Sequence, residues 1–151
     1  MTGFLTATPG NITDVRQIAK DIVQFSKDYN IEMMAYDSAH STELVRMLDE
    51  EGYDMSRWVQ HSQQALKMNS PCQELLRRVL RHELEHDSNP VERWQISNLV
   101  WAVNPGNGFV RPDKRRNREK VDFCSALIMA ISVAADAPPP PPAFWTVSSS
   151  E

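Results

Sequence analysis

Residues 121–135, with the sequence VDFCSALIMAISVAA, are apolar on almost every side of a predicted helix. An amphipathic helix buries one stripe, whereas a helix that is apolar all round must be covered by neighbours on several sides. This segment is too short and too interrupted by serine to span a bilayer. The rest of the chain must therefore supply layers that enclose it, and 151 residues are enough for one such domain.

Strand-like segments provide part of those layers. Residues 31–36, IEMMAY, form a compact apolar run of strand length, and residues 53–59, YDMSRWV, alternate as a half-buried strand does. A further short strand is predicted in residues 3–11, before a Pro-Gly turn. Residues 101–112 read as two extended pieces around an Asn-Pro-Gly-Asn-Gly turn.

Helical segments alternate with these strands. Apolar residues at helical spacing predict four helices besides residues 121–135, and their starts are marked by Asp14, by Ser41 or Thr42, by Pro71 and by Pro90. Gly52 is the predicted stop of the second helix. Alternation of strands and helices predicts an α/β domain with at least part of the sheet parallel.

The two ends of the chain and its cysteines limit the class of protein that is expected. The N-terminus has no signal-peptide pattern, and Cys72 and Cys124 belong to no CxxC or zinc-binding spacing, so reduced thiols in a soluble, cytoplasmic protein are expected. Residues 136–151 contain five consecutive prolines and a serine-rich end, which predict a disordered tail after a domain of residues 1–135.

Two carboxylates lie at positions that suit metal binding or catalysis. Asp37 follows an apolar strand, where open α/β sheets place their sites, and Asp122 opens the apolar helix. If the fold brings them together, they suit Mg²⁺ or Mn²⁺, which prefer oxygen ligands and can promote phosphodiester cleavage. The alternatives are structural, with Asp37 as a turn residue and Asp122 as an acid favoured by the helix dipole.

A basic run precedes Asp122 in a chain whose net charge is −4. Such a run is usually a solvated face, but cations beside a metal-binding acid would also neutralise a nucleic-acid backbone. The candidate phosphate contacts are Arg111, Lys114, Arg115, Arg116, Arg118 and Lys120.

Residues 82–86, HELEH, match the zincin pattern H-E-x-x-H, in which two histidines on a helix bind zinc. The pattern requires His82 and His86 to lie within a helix. Residues 87–90, Asp-Ser-Asn-Pro, are typical of a helix end, which disfavours this third interpretation.

Five segments, in order, resemble the C-terminal nuclease domain of tailed-bacteriophage terminase large subunits, the DNA-packaging motors. They are GFLTATPGNITDVRQIAKDI, YNIEMMAYDSAHSTELVRMLDEEG, MNSPCQELLRRVL, HDSNPVERWQISNLV and GFVRPDKRRNREKVDFCSALIMAI, and they cover about residues 3–133. The resemblance implies a ribonuclease-H-like mixed sheet flanked by helices. It also implies an acidic cluster that binds two divalent metals and cuts concatemeric double-stranded DNA.

By this resemblance, Asp37 in AYD corresponds to the acid at the end of the central strand, and Asp122 in EKVD to the acid that begins the last core helix. The implied cofactor is Mg²⁺ or Mn²⁺. The implied partners are double-stranded DNA, an ATPase polypeptide, the small terminase subunit and the portal, in the cytoplasm of a host cell.

The sequence also departs from the family pattern. It contains no G-x-x-x-x-G-K-[ST] phosphate-binding motif, so no ATP site is expected in this chain. The family's first strand, which carries another essential aspartate, has no counterpart, and an N-terminally truncated domain is expected. A metal-dependent endonuclease is thus the first hypothesis. The second is a catalytically incomplete remnant that binds DNA or packaging partners.

Overall fold

The computed structural model describes residues 4–113, 116 and 119–136. The elements, in chain order, are α1 (Val15–Asp28), β1 (Met34–Tyr36), α2 (Thr42–Glu50), β2 (Trp58–Gln60), α3 (Ala65–Leu80), α4 (Pro90–Ser97), β3 (Trp101–Val103), β4 (Val110–Pro112) and α5 (Asp122–Asp136). A 3-10 turn, Ser38–His40, follows β1. Five predicted helices and four of the predicted strand segments are confirmed.

The strands form two short pairs. β1 and β2 are parallel, with Tyr36 opposite Gln60, and α2 connects them. β3 and β4 are an antiparallel hairpin, with Val103 opposite Val110. A parallel pair joined through a helix is the βαβ arrangement that the alternation of segments predicts.

The apolar helix α5 is enclosed on several sides, as predicted. Ile128 is fully buried, and it belongs to a core cluster with Met129 and Ile131 of α5. Three residues of α3 complete that cluster, namely Met68, Cys72 and Leu75. Ala35 of β1, Trp101 of β3 and Val110 of β4 pack against it. No helix in the described part of the chain is long and apolar enough to cross a membrane.

A second cluster joins α1 to α2. Ala19 of α1 and Leu48 of α2 are fully buried, and Tyr53 and Trp58 pack against them. The Trp58 ring lies against both Tyr53 and Tyr36 of β1. The helix that follows β1 is therefore fixed to the parallel strand pair by aromatic packing.

Helix α3 begins earlier than predicted. Pro71 was expected to start it, but the helix starts at Ala65 and Pro71 lies inside it. Met68, Cys72 and Leu75 form one buried stripe at helical spacing across the proline. Burying this stripe outweighs the backbone hydrogen bond that Pro71 cannot donate.

One other prediction differs from the structure, and one lies largely outside the described residues. The strand expected in residues 3–11 is absent from the described residues 4–11, where Phe4 and Leu5 are exposed. The tail predicted for residues 136–151 overlaps the end of α5, which extends to Asp136. The remainder of that tail, residues 137–151, lies outside the described residues.

Candidate functional site

Asp37 and His61 leave the parallel strand pair at the same edge. Tyr36 pairs with Gln60, so the next residue of each strand occupies an equivalent position at the carboxyl end. The His61 backbone N–H donates to the Tyr36 carbonyl at 2.8 Å, which extends the pairing by one step. The carboxyl edge of parallel strands is where open α/β folds place binding sites.

The Asp37 carboxylate is half-buried and has two hydrogen-bond donors. Its Oδ1 accepts from the Ala39 backbone N–H at 3.1 Å, and its Oδ2 accepts from Gln63 Nε2 at 2.7 Å. The first bond caps the 3-10 turn, so the structural interpretation of Asp37 as a turn residue is correct. Each carboxylate oxygen keeps a further lone pair, so the same group can also bind a ligand.

His61 is buried, with 8% of its surface exposed. Its Nδ1 has no hydrogen-bond partner among the described residues. Burial lowers the pKa of His61, and the positive charge of Lys67 lowers it further, while the Ser62 backbone and the Asp37 charge oppose this shift. Burial therefore disfavours the protonated form of His61.

A cavity of about 320 Å³ lies at this edge of the strand pair. It is lined by Ser38, Val59, Gln60, His61, Ser62, Lys67, Ser132 and Val133. Ser38 follows Asp37 directly, and Lys67 is an exposed cation in the first turn of α3. The cavity is therefore bordered by a buried histidine and a lysine, and one of its lining residues, Ser38, directly follows Asp37.

Asp122 is the first residue of α5 and is exposed. The residues after it are held by α4, because Phe123 N–H donates to Gln95 Oε1 at 2.8 Å and the Cys124 thiol donates to the Gln95 carbonyl at 3.5 Å. This is the position of an acid favoured by the helix dipole. Asp37 has its own partners at the strand edge, and Asp37 and Asp122 share no hydrogen-bond partner among the described residues.

No group of three or more His, Cys, Asp or Glu side chains in the described part of the chain is arranged to hold a metal ion. Asp37 and Asp122 therefore do not complete a three-residue cluster with any other described side chain. A divalent ion bound by fewer protein ligands would take its remaining ligands from water or phosphate, as Mg²⁺ commonly does.

The basic run is described in part. Arg111, on β4, is exposed and lines a second cavity of about 390 Å³ together with Gln64 and Ala65 at the start of α3. Arg116 is exposed and forms an ion pair with Asp113 at 3.5 Å, and Lys120 is exposed. The other predicted contacts, Lys114, Arg115 and Arg118, lie outside the described residues.

The HELEH segment does not form a zincin site. Helix α3 ends at Leu80, and His82 has a left-handed backbone with φ of 55°. His86 Nδ1 accepts from the Ser88 backbone N–H at 3.0 Å. Because the two histidines do not lie on one helix, the zinc-protease interpretation is wrong.

His61, Gln63 and Lys67 were not among the predicted site residues. His61 follows the short strand WVQ, just as Asp37 follows MAY, and this equivalence is visible once both strands are aligned. Gln63 carries no sequence signal by itself, because its contact with Asp37 depends on the loop between β2 and α3.

Comparison with known proteins identifies the family of this chain. The model of the terminase large subunit, endonuclease domain family matches residues 1–137. The chain belongs to this family. The resemblance that the five segments indicate is thus confirmed.

Two relatives place the domain within longer proteins. Protein YmfN of Escherichia coli strain K12 is 31% identical over 133 residues, which are 87% of this chain and 29% of YmfN. The crystal structure of the HK97 bacteriophage large terminase matches with a TM-score of 0.79 and 22% identity, covering 86% of this chain and 27% of that one. The structural match confirms the ribonuclease-H-like α/β fold, and the chain spans under a third of either relative.

Proposed function

We propose that this terminase domain is a divalent-metal-dependent endonuclease that cuts double-stranded DNA during phage DNA packaging. Family membership supports the class of reaction. The observation that carries the site is Asp37, a carboxylate at the carboxyl edge of the parallel strand pair, oriented by Gln63 and beside a cavity.

The residues at the carboxyl edge of the strand pair supply part of the ligand set that a hard divalent cation requires. Asp37 supplies carboxylate oxygens, the ligand type that Mg²⁺ and Mn²⁺ prefer, and its hydrogen bonds from Ala39 and Gln63 fix its orientation. When bound, such an ion would activate water and stabilise the leaving oxygen of a phosphodiester. Asp122 is the second proposed metal-binding acid, carried over by its position in EKVD at the start of α5.

DNA would be held by cations around the same part of the molecule. Lys67 borders the cavity lined by Ser38 and His61, and Arg111 borders a second cavity at the start of α3. Lys and Arg side chains bind phosphates without reading base sequence. We therefore assign Lys67 and the cations of residues 111–120 to backbone contacts. The ATPase polypeptide, small terminase subunit and portal are the proposed protein partners.

Cleavage of a supercoiled plasmid tests this function. The chain is incubated with Mn²⁺, with Mg²⁺ and with EDTA, and nicked and linear products are quantified. Asp37→Asn and Asp122→Asn should each lower the Mn²⁺-dependent rate about 100-fold or more, because several kcal/mol of charge stabilisation are lost. Asp54→Asn is the matched control, since the Asp54 carboxylate likewise accepts from a backbone N–H two residues on. Equal cutting by all four proteins would refute the site.

A second function is favoured by one observation, the lack of a three-residue metal cluster in the described part of the chain. The domain would then bind DNA or packaging partners without cutting. Retained binding of duplex DNA, with no plasmid cleavage and no Mn²⁺ binding, would favour this function over the nuclease.

A further inference from the structure

One edge of strand β1 has no partner strand in the part of the chain that the structure describes. Among the described strands, β1 pairs only with β2, and Met34 N–H donates to the Arg57 carbonyl at 3.0 Å. In a parallel pair, alternate residues direct their N–H and C=O groups to the same neighbour. The N–H and C=O groups of Ala35 therefore face away from β2. A strand edge of this kind can accept a further strand.

A groove of about 600 Å³ follows this edge, and we call it the β1 groove. One wall is formed by residues 30–35, and the other is formed by helix α5. Ala126, Ala130 and Ala134 line the groove from α5, and all three are exposed. They are spaced four residues apart, so they lie on one face of the helix. Because alanine side chains are small, this face leaves room for the larger side chains of an added strand.

The connectivity of the chain indicates which segment can cover the groove. Helix α5 ends at Asp136, two residues beyond Ala134, and residues 137–151 follow it outside the described residues. A helix rises about 1.5 Å per residue, so Ala126 lies about 15 Å from Asp136 along α5. Extended polyproline rises about 3.1 Å per residue, so residues 137–143, which include five prolines, can span about 20 Å. The residues after the prolines can therefore reach any part of the groove.

Residues 144–147, Phe-Trp-Thr-Val, have the composition of a strand. Aromatic and β-branched residues are those most enriched in strands. Alternate side chains of a strand share a face, so Trp145 and Val147 would form an entirely apolar face, with Phe144 and Thr146 opposite. The face of Trp145 and Val147 complements the small alanine side chains of α5 in both polarity and size.

We propose that residues 144–147 add to the free edge of β1 as a neighbouring strand, with Trp145 and Val147 in the β1 groove. Backbone hydrogen bonds to Ala35 hold the added strand, and burial of the two side chains stabilises it. For these four residues, the proposal replaces the disorder that composition predicts for the tail. The inference concerns an intramolecular contact, and it is independent of metal binding and of the proposed nuclease activity.

Amide hydrogen exchange of the full chain, followed by NMR at several protein concentrations, tests this contact. The Ala35 N–H should be protected in the wild type, because it donates to the added strand. Trp145→Ser should increase its exchange rate about 10-fold or more, because the added strand loses its main apolar anchor. The His61 N–H donates to the Tyr36 carbonyl across the β1–β2 pair, so it should exchange at the same rate in both proteins.

Two further variants control for general loss of apolar surface. Ile12→Ser is the matched control, because Ile12 is 85% exposed and does not line the β1 groove. It should leave the exchange of Ala35 unchanged. Ala130→Glu places a charge in the groove at an exposed helical position, and glutamate is a good helix former, so the variant should fold. It should raise the Ala35 exchange rate as Trp145→Ser does.

The expected result is protection of Ala35 that is independent of protein concentration and is lost in both Trp145→Ser and Ala130→Glu. Rapid exchange of Ala35 in the wild type, or equal protection in the wild type and Trp145→Ser, would overturn the inference. Protection that increases with protein concentration would also overturn it, because a second copy of the chain would then be the segment that covers the groove.

Discussion

At the residue scale, Asp37 has a structural role that is compatible with its proposed metal-binding role. Its Oδ1 caps a turn, as Asp54 Oδ1 does by accepting from Ser56 N–H at 2.9 Å. The difference lies in the surroundings. Asp37 is half-buried, receives Gln63 as a second donor and lies next to a buried histidine, whereas Asp54 is an exposed residue. Both aspartates suit a turn by residue type, and only Asp37 directly follows an apolar strand run.

The candidate site was therefore only partly predictable. Asp37 could be selected because a carboxylate after an apolar strand run is a local feature of the sequence. His61 and Gln63 could not be predicted as site residues, because their proximity to Asp37 depends on parallel pairing of β1 with β2 and on the loop that follows. Asp122 was placed correctly at the start of α5, and its role as a metal ligand stays a prediction.

At the element scale, α3 connects the core to the site. Its buried stripe packs on α5, and its first turn places Lys67 at the cavity lined by Ser38 and His61. Its last turns contain a group of ion pairs. Glu74 accepts from both Arg77 and Arg78, at 2.6 and 2.8 Å. The start of α3 was predicted too late because Pro71 resembles a first-turn proline. The buried stripe that continues on both sides of Pro71 is evident only from the burial of Met68.

The Glu74 ion pairs predict a pH dependence of stability. The hydrogen bonds from Arg77 and Arg78 lower the pKa of Glu74 from its ordinary 4.5 to about 2. Because the folded-state pKa is depressed, this contribution is complete above about pH 4.5 and is lost as the pH falls towards 2. The fall in melting temperature between these pH values should be smaller in Glu74→Gln than in the wild type.

Circular dichroism melts at a series of pH values measure this effect. Arg78→Gln removes one donor and should reduce the same acid-dependent fall in melting temperature. Because Glu74 and its two arginines are partly solvent-exposed, the difference should also shrink at high salt. An identical acid profile for wild type and Glu74→Gln would contradict the assignment.

At the scale of the whole molecule, the fold is organised around α5. The apolar character of residues 121–135 predicted a helix covered on several sides, and α3, α4 and β1 provide that cover. The alternation of segments predicted the parallel pair and the hairpin. The strand expected in residues 3–11 failed because a short apolar run needs a partner strand, and none pairs with the described residues 4–11.

Ile128 provides a test of this organisation. It is fully buried at the contact between α5 and α3, so Ile128→Ala should lower the free energy of unfolding by about 2–5 kcal/mol. Ile12→Ala is the matched control, because Ile12 is 85% exposed and its loss should cost no more than about 0.5 kcal/mol. Equal urea midpoints for the two variants would show that α5 is not the centre of the core.

The central claim, that Asp37 binds a divalent metal, is tested most directly by isothermal titration of Mn²⁺ into the metal-free chain. Wild type and Asp54→Asn should bind Mn²⁺ with the same affinity. Asp37→Asn should lose this binding, although asparagine can still accept the Ala39 N–H and preserve the turn. Equal Mn²⁺ affinity for wild type and a folded Asp37→Asn variant would contradict the account.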